Sequence, residues 1–525
     1  MRHWRLAARP VGNSVAMNNR SEDGLTRREA IAAAGAAALA AAASGYGPAV
    51  ARATTAPPYV VGFNSLTSEF TLRNIPITGS MPSWLGGSLL RNGPAKFEVG
   101  TSQFNHWFDG LAMLHAFSFT SGKVSYANRF LRSSAWDAWK KRGRIEYSEF
   151  GTDPCRSIFS GVSSQSLPIP IIAPVPNANV SIEHWAGKFR ALTEMPVPVR
   201  FDSNTLNTLG VDPGAASQMG TAHPHHDPAT KERFSYETVL VGKTGVNVYV
   251  EKGTSKKLLA FIPQAKPRYM HSFSLTKRYV ILFTQPFEID PSGFLSGPAK
   301  PIIEHFSWNS SEAATVKVID RVKGGVVASF DLPPFFVFHH INAYESSSSR
   351  VVLDVSGHSD ASIIDALYLR NLRSAEQRMP RITIKRVTLD MRTRKATVAP
   401  LSDTDLELPR INYDHYNQKA YRYAYGIGQQ GANSGFVDRL AKIDVKTGSA
   451  KFWREPGCYP GEPVFVPRPH ATREDDGVVL SVVLDTNKGS SFLSILEASS
   501  FTERARARVP HVIPFGFHGL HTSSV

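Results

Sequence analysis

From about residue 58 onward, apolar residues come in short β-branched and aromatic runs cut by turn residues, as in GVVLSVVLDTNKGSSFLSILEA from Gly477 and RLAKIDVKTGSAKFWRE from Arg439. Strand, turn, strand at this spacing predicts β-hairpins. The same texture recurs in GKVSYANRFLRS, ETVLVGKTGVNVYVE, SSRVVLDVSGH and RITIKRVTLDMRTRKATVAPL. Hairpins repeated at this density predict an all-β propeller, barrel or sandwich. Helical periodicity is confined to short pieces such as SIIDALYLRNLRSAEQ, Ser362 to Gln377. No strict repeat is visible and no linker after residue 58 suggests a second domain.

One strand ends oddly. After DLPPFFVF the chain reads FHHINAYE, Phe338 to Glu345. Strict alternation places Phe335, Val337, His339 and Ile341 on one face and Phe336, Phe338 and His340 on the other, so one histidine alone can face a common site. Three further segments set histidines at strand edges or turns: TAHPHHDP (Thr221 to Pro228), YMHSFSL (Tyr269 to Leu275) and PFGFHGLHTSSV at the C-terminal end. From His223 to His271 is 48 residues, to His339 a further 68 and to His518 a further 179. Such spacing suits ligands from different parts of one closed sheet structure rather than a local finger. Imidazole serves Fe, Zn and Cu alike, so residue chemistry leaves the metal open. It also leaves open which histidine of HPHH is used.

Composition narrows the partners. The formal net charge is +15, of which the first 53 residues carry +4 and the rest +11. The cations are scattered without aromatic interleaving or a reader motif, and nucleic acid is not expected as a partner. Cys155 and Cys458 stand far apart, which excludes a disulfide scaffold and a thiolate cluster. Any metal must therefore be held by histidine or carboxylate.

Residues 1–53 read as a twin-arginine export signal: Thr26-Arg27-Arg28-Glu29, the apolar run Ala30 to Ala43, then Ala51-Arg52-Ala53 as a cleavage site. Met1 and Met17 are both possible starts. The Ala-rich run is shorter than the roughly 20 residues a membrane span needs. The protein is thus expected to be exported to the periplasm or beyond, with possible membrane association.

Taken in order, RNGPAKFEVG, FNHWFDGLAMLHAF, RFLRS, TAHPHHDP, YMHSFSL, FHHINAYE, LPRINYDHYNQKAYRYAYGIG, GEPVFVPRP and FGFHG resemble the carotenoid cleavage oxygenase family over residues 58–525. The resemblance implies a seven-bladed β-propeller with a helical and loop cap over an axial metal site. It implies one Fe(2+) per chain held by His223, His271, His339 and His518, with Glu194, Glu407 and Glu462 behind them. Such carboxylates would accept the second ring N–H and fix each imidazole's tautomer and angle. They would also offset the charge of an iron with only neutral ligands. Val180, in NANV, would gate the oxygen position, while His106 and Asp109 of HWFDG read as structural.

The implied reaction is oxidative cleavage of a C=C bond of a carotenoid or apocarotenoid by O2, with no protein acid, base or nucleophile. The alternatives are a stilbene-cleaving dioxygenase and a retinoid isomerohydrolase-like activity. A metal held only for structure, in a lipid-binding propeller, is the non-catalytic alternative. Ser134, Ala135 and Trp136 stand where stilbene cleavers carry a lysine. The stretch from Thr152 through LPIPIIAPVP (Leu167 to Pro176) resembles an apolar entrance suited to an apolar polyene and to peripheral membrane contact.

Overall fold

The computed structural model describes residues 56–153, 177–194, 197–212, 219–240, 242–290, 300–430 and 435–523. The export signal, Cys155 and the Leu167 to Pro176 stretch lie outside the described residues. Seven antiparallel sheets form the blades of a propeller. Blade 1 contains Gly87–Lys96, Leu111–Thr120 and Lys123–Phe130, blade 2 runs from Ser181–Trp185 to Thr208–Val211, and blade 3 from Met219–Gly220 to Ser255–Pro263. Blade 4 runs from Ser274–Leu275 to Val326–Leu332, blade 5 from Phe336–Ser347 to Lys395–Ser402 and blade 6 from Glu407–Arg410 to Ala450–Trp453. Blade 7 runs from Cys458–Pro460 to Thr502–Arg508.

Two remote segments close the ring. Gly519–Thr522 pairs with Gly87–Lys96 in blade 1, and Ile77–Gly79 pairs with Thr502–Arg508 in blade 7. The two blades are therefore each built from both halves of the chain, which removes a free seam.

Burial explains why the strands read as they do. Gly477–Asp485 is buried at nearly every position, because neighbouring blades cover both of its faces. Val326–Leu332 and Lys395–Ser402, at the ends of their sheets, alternate with solvent. Both quoted hairpins form as predicted, pairing Gly477–Asp485 with Ser490–Glu497 and Arg439–Asp444 with Ala450–Trp453. The predicted helical piece is two short helices, Ser362–Ala366 and Leu369–Leu372.

A repeat that the sequence hides is visible in the turns. At Asp202, Asp227, Asp320, Asp390, Asp444 and Asp485, the carboxylate Oδ1 accepts the amide of the residue two places on. Four places on, Leu206, Lys231, Gly324, Arg394, Gly448 and Gly489 all have positive φ. Blades 2 to 7 thus share one turn, recognisable only by an aspartate and a backbone conformation.

Alternation fails at FHHINAYE. Val337 pairs with Gly357 and His340 with Val355, so three steps on one strand oppose two on the other. This is a β-bulge, and it returns His340 to the face of Val337. Phe335, Val337 and Phe283 share one apolar cluster, and the His340 ring lies 6.3 Å from Phe283. The expected grouping of Val337 with His339 is therefore corrected, although the two histidines do point apart.

Candidate metal centre

Four blades each bring one imidazole to a common point. His223 lies between Met219–Gly220 and His225–Asp227, His271 precedes Ser274–Leu275, His339 sits at the bulge in Phe336–Ser347, and His518 precedes Gly519–Thr522. One ligand-capable nitrogen from each lies within 4.8 Å of the other three. The other three blades supply the carboxylates: Glu194 follows Lys188–Leu192 in blade 2, Glu407 opens blade 6, and Glu462 bridges two short strands of blade 7. A glycine places the last ligand. A Cβ on Gly519 would stand 2.1 Å from the Leu90 carbonyl oxygen, so only glycine lets this segment lie against Gly87–Lys96.

Each carboxylate takes one imidazole N–H. His271 Nδ1 is 2.6 Å from Glu194, His339 Nδ1 is 2.5 Å from Glu407 and His518 Nδ1 is 2.7 Å from Glu462. These partners assign the N–H to Nδ1 and leave the Nε2 lone pairs facing inward. His339 Nε2 and His518 Nε2 stand 3.2 Å apart, and His223 Nε2 and His271 Nε2 2.9 Å apart. His339 and His518 both direct their N–H outward to a carboxylate, so their facing Nε2 lone pairs repel at that distance. A cation between them would remove the conflict. The donor set fits a divalent metal with an imidazole preference.

The electrostatics agree. Burial pushes His518 down to about 3, against the pull of Glu462. His223 is held well below the ordinary imidazole value by burial and then by the neighbouring imidazoles, and His271 is lowered by burial despite Glu194. Neutral rings are the form that ligates.

The remaining histidines of these motifs are spoken for. His225 contacts Tyr413 Oη at 2.7 Å through Nδ1 and the Phe273 carbonyl at 2.9 Å through Nε2. His226 pairs with Glu183 at 3.1 Å, and His340 Nδ1 contacts Ser274 Oγ at 2.6 Å. His223 is thus the member of HPHH that faces the centre. His106 caps Trp107–Asp109, and Asp109, pushed up to about 7 by burial, accepts from Thr152 and Gly151. Val180 packs with Leu192 and with Ala222, the residue before His223, and its carbonyl accepts the His518 amide at 3.1 Å. Its segment is pinned by Asn177 and Asn179, whose amides donate to Asp109, Phe108 and Gly110 carbonyls.

Two residues at the centre escaped the sequence reading. Fully buried Glu462 receives Arg410 Nε at 2.8 Å and the Gly519 amide at 3.0 Å, and it bonds Arg91, itself buried. Arg91 lies in RNGPAK and Arg410 in LPRIN, both among the quoted motifs, yet nothing in those strings ties them to Glu462. Both guanidiniums pair with Glu462, so that carboxylate already has counter-charge, whereas Glu194 bonds Tyr269 and His271 and Glu407 bonds His339 and the Leu408 amide.

Aromatic side chains wall one side. Phe338 stacks edge-on to His271 with ring centres 5.3 Å apart, and Phe108 meets Phe150, Phe338 and Phe517 at 5.1 to 6.0 Å. Among the described residues no helix is long and apolar enough to cross a membrane.

Residues 63–523 match the family model described as retinal pigment epithelial membrane protein. The chain is 33% identical over 507 residues to the mitochondrial carotenoid-cleaving dioxygenase of Macaca fascicularis, covering 84% of this chain and 90% of that protein. It is 35% identical over 517 residues to the β,β-carotene 15,15'-dioxygenase of Homo sapiens, covering 85% and 91%. The carotenoid isomerooxygenase of Galleria mellonella is 34% identical over 478 residues, covering 84% and 92%. Among solved structures, a cobalt-substituted apocarotenoid oxygenase from Synechocystis superposes with a TM-score of 0.79 at 24% identity, over 89% of this chain and 98% of that one. That likeness is one of fold.

Proposed function

The chain belongs to the retinal pigment epithelial membrane protein family, and from that premise we propose that it is an iron-dependent dioxygenase cleaving a C=C bond of a carotenoid or apocarotenoid. The observation that carries the reading is the meeting of four imidazole nitrogens, three of them backed by buried carboxylates. When bound, Fe(II) would supply activation of O2 beside the scissile bond. His223, His271, His339 and His518 would hold it. Glu194, Glu407 and Glu462 hold the N–H of three of the rings at Nδ1 and fix their angle. Val180 narrows the approach beside His223.

The chain's own work is then positioning and exclusion of water. Phe108, Phe150, Phe338 and Phe517 offer an apolar wall along which a polyene can be held, and no proton need move. A phenolic stilbene would call for a lysine just after the RFLRS motif, where this chain has Ser134, Ala135 and Trp136. Lys140 instead lies over the Trp139 ring at 4.1 Å, and Lys141 pairs with Asp137 on the surface. Export through the twin-arginine route, and peripheral membrane contact through the apolar Leu167 to Pro176 stretch, complete the proposal.

The test is to incubate iron-loaded protein with carotenoids, β-apocarotenals and hydroxylated stilbenes and to weigh the products. Aldehyde or ketone fragments from a carotenoid are expected, each carrying one oxygen atom. Cleavage of the stilbene alone would overturn the substrate class, and O2 consumption with none of them would overturn the activity.

A further inference from the structure

Buried carboxylates at this centre are not anchored alike. Glu462 receives donors on both oxygens. Glu407 receives two donors on Oε2, His339 Nδ1 at 2.5 Å and the Leu408 amide at 2.8 Å, while its buried Oε1 has no hydrogen-bond partner. Both ring nitrogens of His358 are also buried and without a partner. His358 ends the strand Arg350–His358, is 1% exposed, and sits against the rings of Phe336 and Phe338 at 6.3 Å. Its Nε2 lies 3.6 Å from the orphaned Glu407 Oε1.

Buried polar atoms left unpaired are costly, and here two of them face one another. At 3.6 Å they do not yet share a hydrogen bond, and a shift of about half an ångström would close one. We infer that His358 is a positioning residue for the metal centre: its Nε2–H donates to Glu407 Oε1 and clamps the carboxylate that orients His339. This rests on the proposed reading of the four histidines as metal ligands. With Oε1 held, Glu407 cannot turn about its last bond and exchange oxygens, and the His339 ring keeps one angle. Glu407, Asp360 and Asp405 interact electrostatically with His358, and Glu407 Oε1 is the oxygen that lies 3.6 Å from its Nε2.

A purely structural His358 makes the opposite forecast. Phenylalanine at this position would remove two unpaired nitrogens from a phenylalanine-lined pocket and would leave the metal untouched. The experiment titrates the full chain, stripped of metal, with Fe(II) and with Co(II), comparing wild type with His358→Phe, His358→Leu, His358→Gln and Glu407→Gln. His358→Phe is expected to bind either ion about tenfold more weakly, at the low end of outer-sphere effects, and to alter the visible Co(II) bands. Its metal-free thermal midpoint should equal or exceed that of wild type. His358→Leu carries the same expectation should the larger ring prevent folding, and His358→Gln, which keeps a donor, should restore affinity and spectrum. Wild-type affinity and spectrum in both His358→Phe and His358→Leu, with Glu407→Gln weakened, would overturn the role of His358 while leaving the metal site standing. A wild-type chain that binds neither ion would overturn both.

Discussion

Replacing Glu462 by glutamine should do more damage than the same change at Glu194, and the geometry says how much. Glu462 has four donors on two oxygens: His518 Nδ1 and Arg410 Nε on Oε1, Arg91 and the Gly519 amide on Oε2. An amide presents one oxygen, so whichever way it turns, its NH2 meets two donors it cannot accept. Buried Arg91 and half-buried Arg410 also lose their counter-charge. Breaking a buried pair from one side costs about 3–5 kcal/mol. Glu194 differs, because Oε1 alone accepts from both Tyr269 Oη at 2.7 Å and His271 Nδ1 at 2.6 Å. A glutamine oxygen in that place keeps both bonds, and the expected cost is about 1 kcal/mol.

With unfolding entropy near 2.1 cal/mol/K per residue, a propeller of this size has about 1 kcal/mol/K, so Glu462→Gln should lower the thermal midpoint by about 3–5 °C and Glu194→Gln by about 1 °C. Both should weaken metal binding about 10- to 100-fold, because both soften an imidazole's orientation. Differential scanning fluorimetry on metal-free protein separates the two effects, and a Co(II) titration measures the second. Equal midpoints for the two variants would refute the assignment of Glu462 as the shared counter-ion of Arg91 and Arg410.

Alanine at His223, His271, His339 or His518 should abolish stoichiometric Fe(II) binding, whereas His225→Ala and His340→Ala should keep it; elemental analysis of purified variants decides, and loss of iron from His340→Ala with retention by His339→Ala would reverse the assignment at the bulge. Acid sensitivity should run partly through Glu183. Burial acts to raise this carboxyl, but Arg233 and His226 outweigh it and hold it down to about 2. A folded value below the ordinary 4.5 means that its contribution is complete above about pH 4.5 and is lost as pH falls toward 2, up to about 3 kcal/mol. Glu183→Gln should therefore flatten the acid limb of the midpoint-against-pH curve. Changing Arg27 and Arg28 to Lys should strand the protein in the cytoplasm, and normal export of that variant, followed by fractionation and blotting, would show that the leader is read differently.

Hairpin texture made the all-β class legible, because half-buried strands and Asp- or Gly-bearing turns leave marks within a few residues of each other. The number of blades left no such mark. Its repeat is an aspartate followed four places on by positive φ, and that fourth position is filled by Leu206, Lys231 and Arg394 as readily as by glycine. Turn geometry there is imposed by the carboxylate cap rather than by residue type. The four histidines could be singled out by motif, but the reason His339 faces inward could not be reached by counting faces. A bulge resets the count, and a bulge depends on pairing with Arg350–His358, which local pattern does not encode. Arg91 and Arg410 were equally out of reach, since they meet Glu462 across 371 and 52 residues of chain.

The division of labour around the ring links the metal to the fold. Four blades supply one histidine each and the other three supply one carboxylate each, so every blade has a stake in the centre. The segment that delivers His518 is also the one that closes blade 1, through the pairing of Gly519–Thr522 with Gly87–Lys96. Closure and completion of the ligand set are therefore one event. A ligand that binds only the closed ring stabilises it by about 2.7 kcal/mol at a hundredfold excess over its dissociation constant. Much of that gain falls on the blade 1 seam, because an open seam leaves His518 far from the other three nitrogens. Amide exchange in Gly87–Lys96 and Gly519–Thr522 should accordingly slow on loading with Co(II), more than in Gly477–Asp485, whose pairing partners do not depend on the seam.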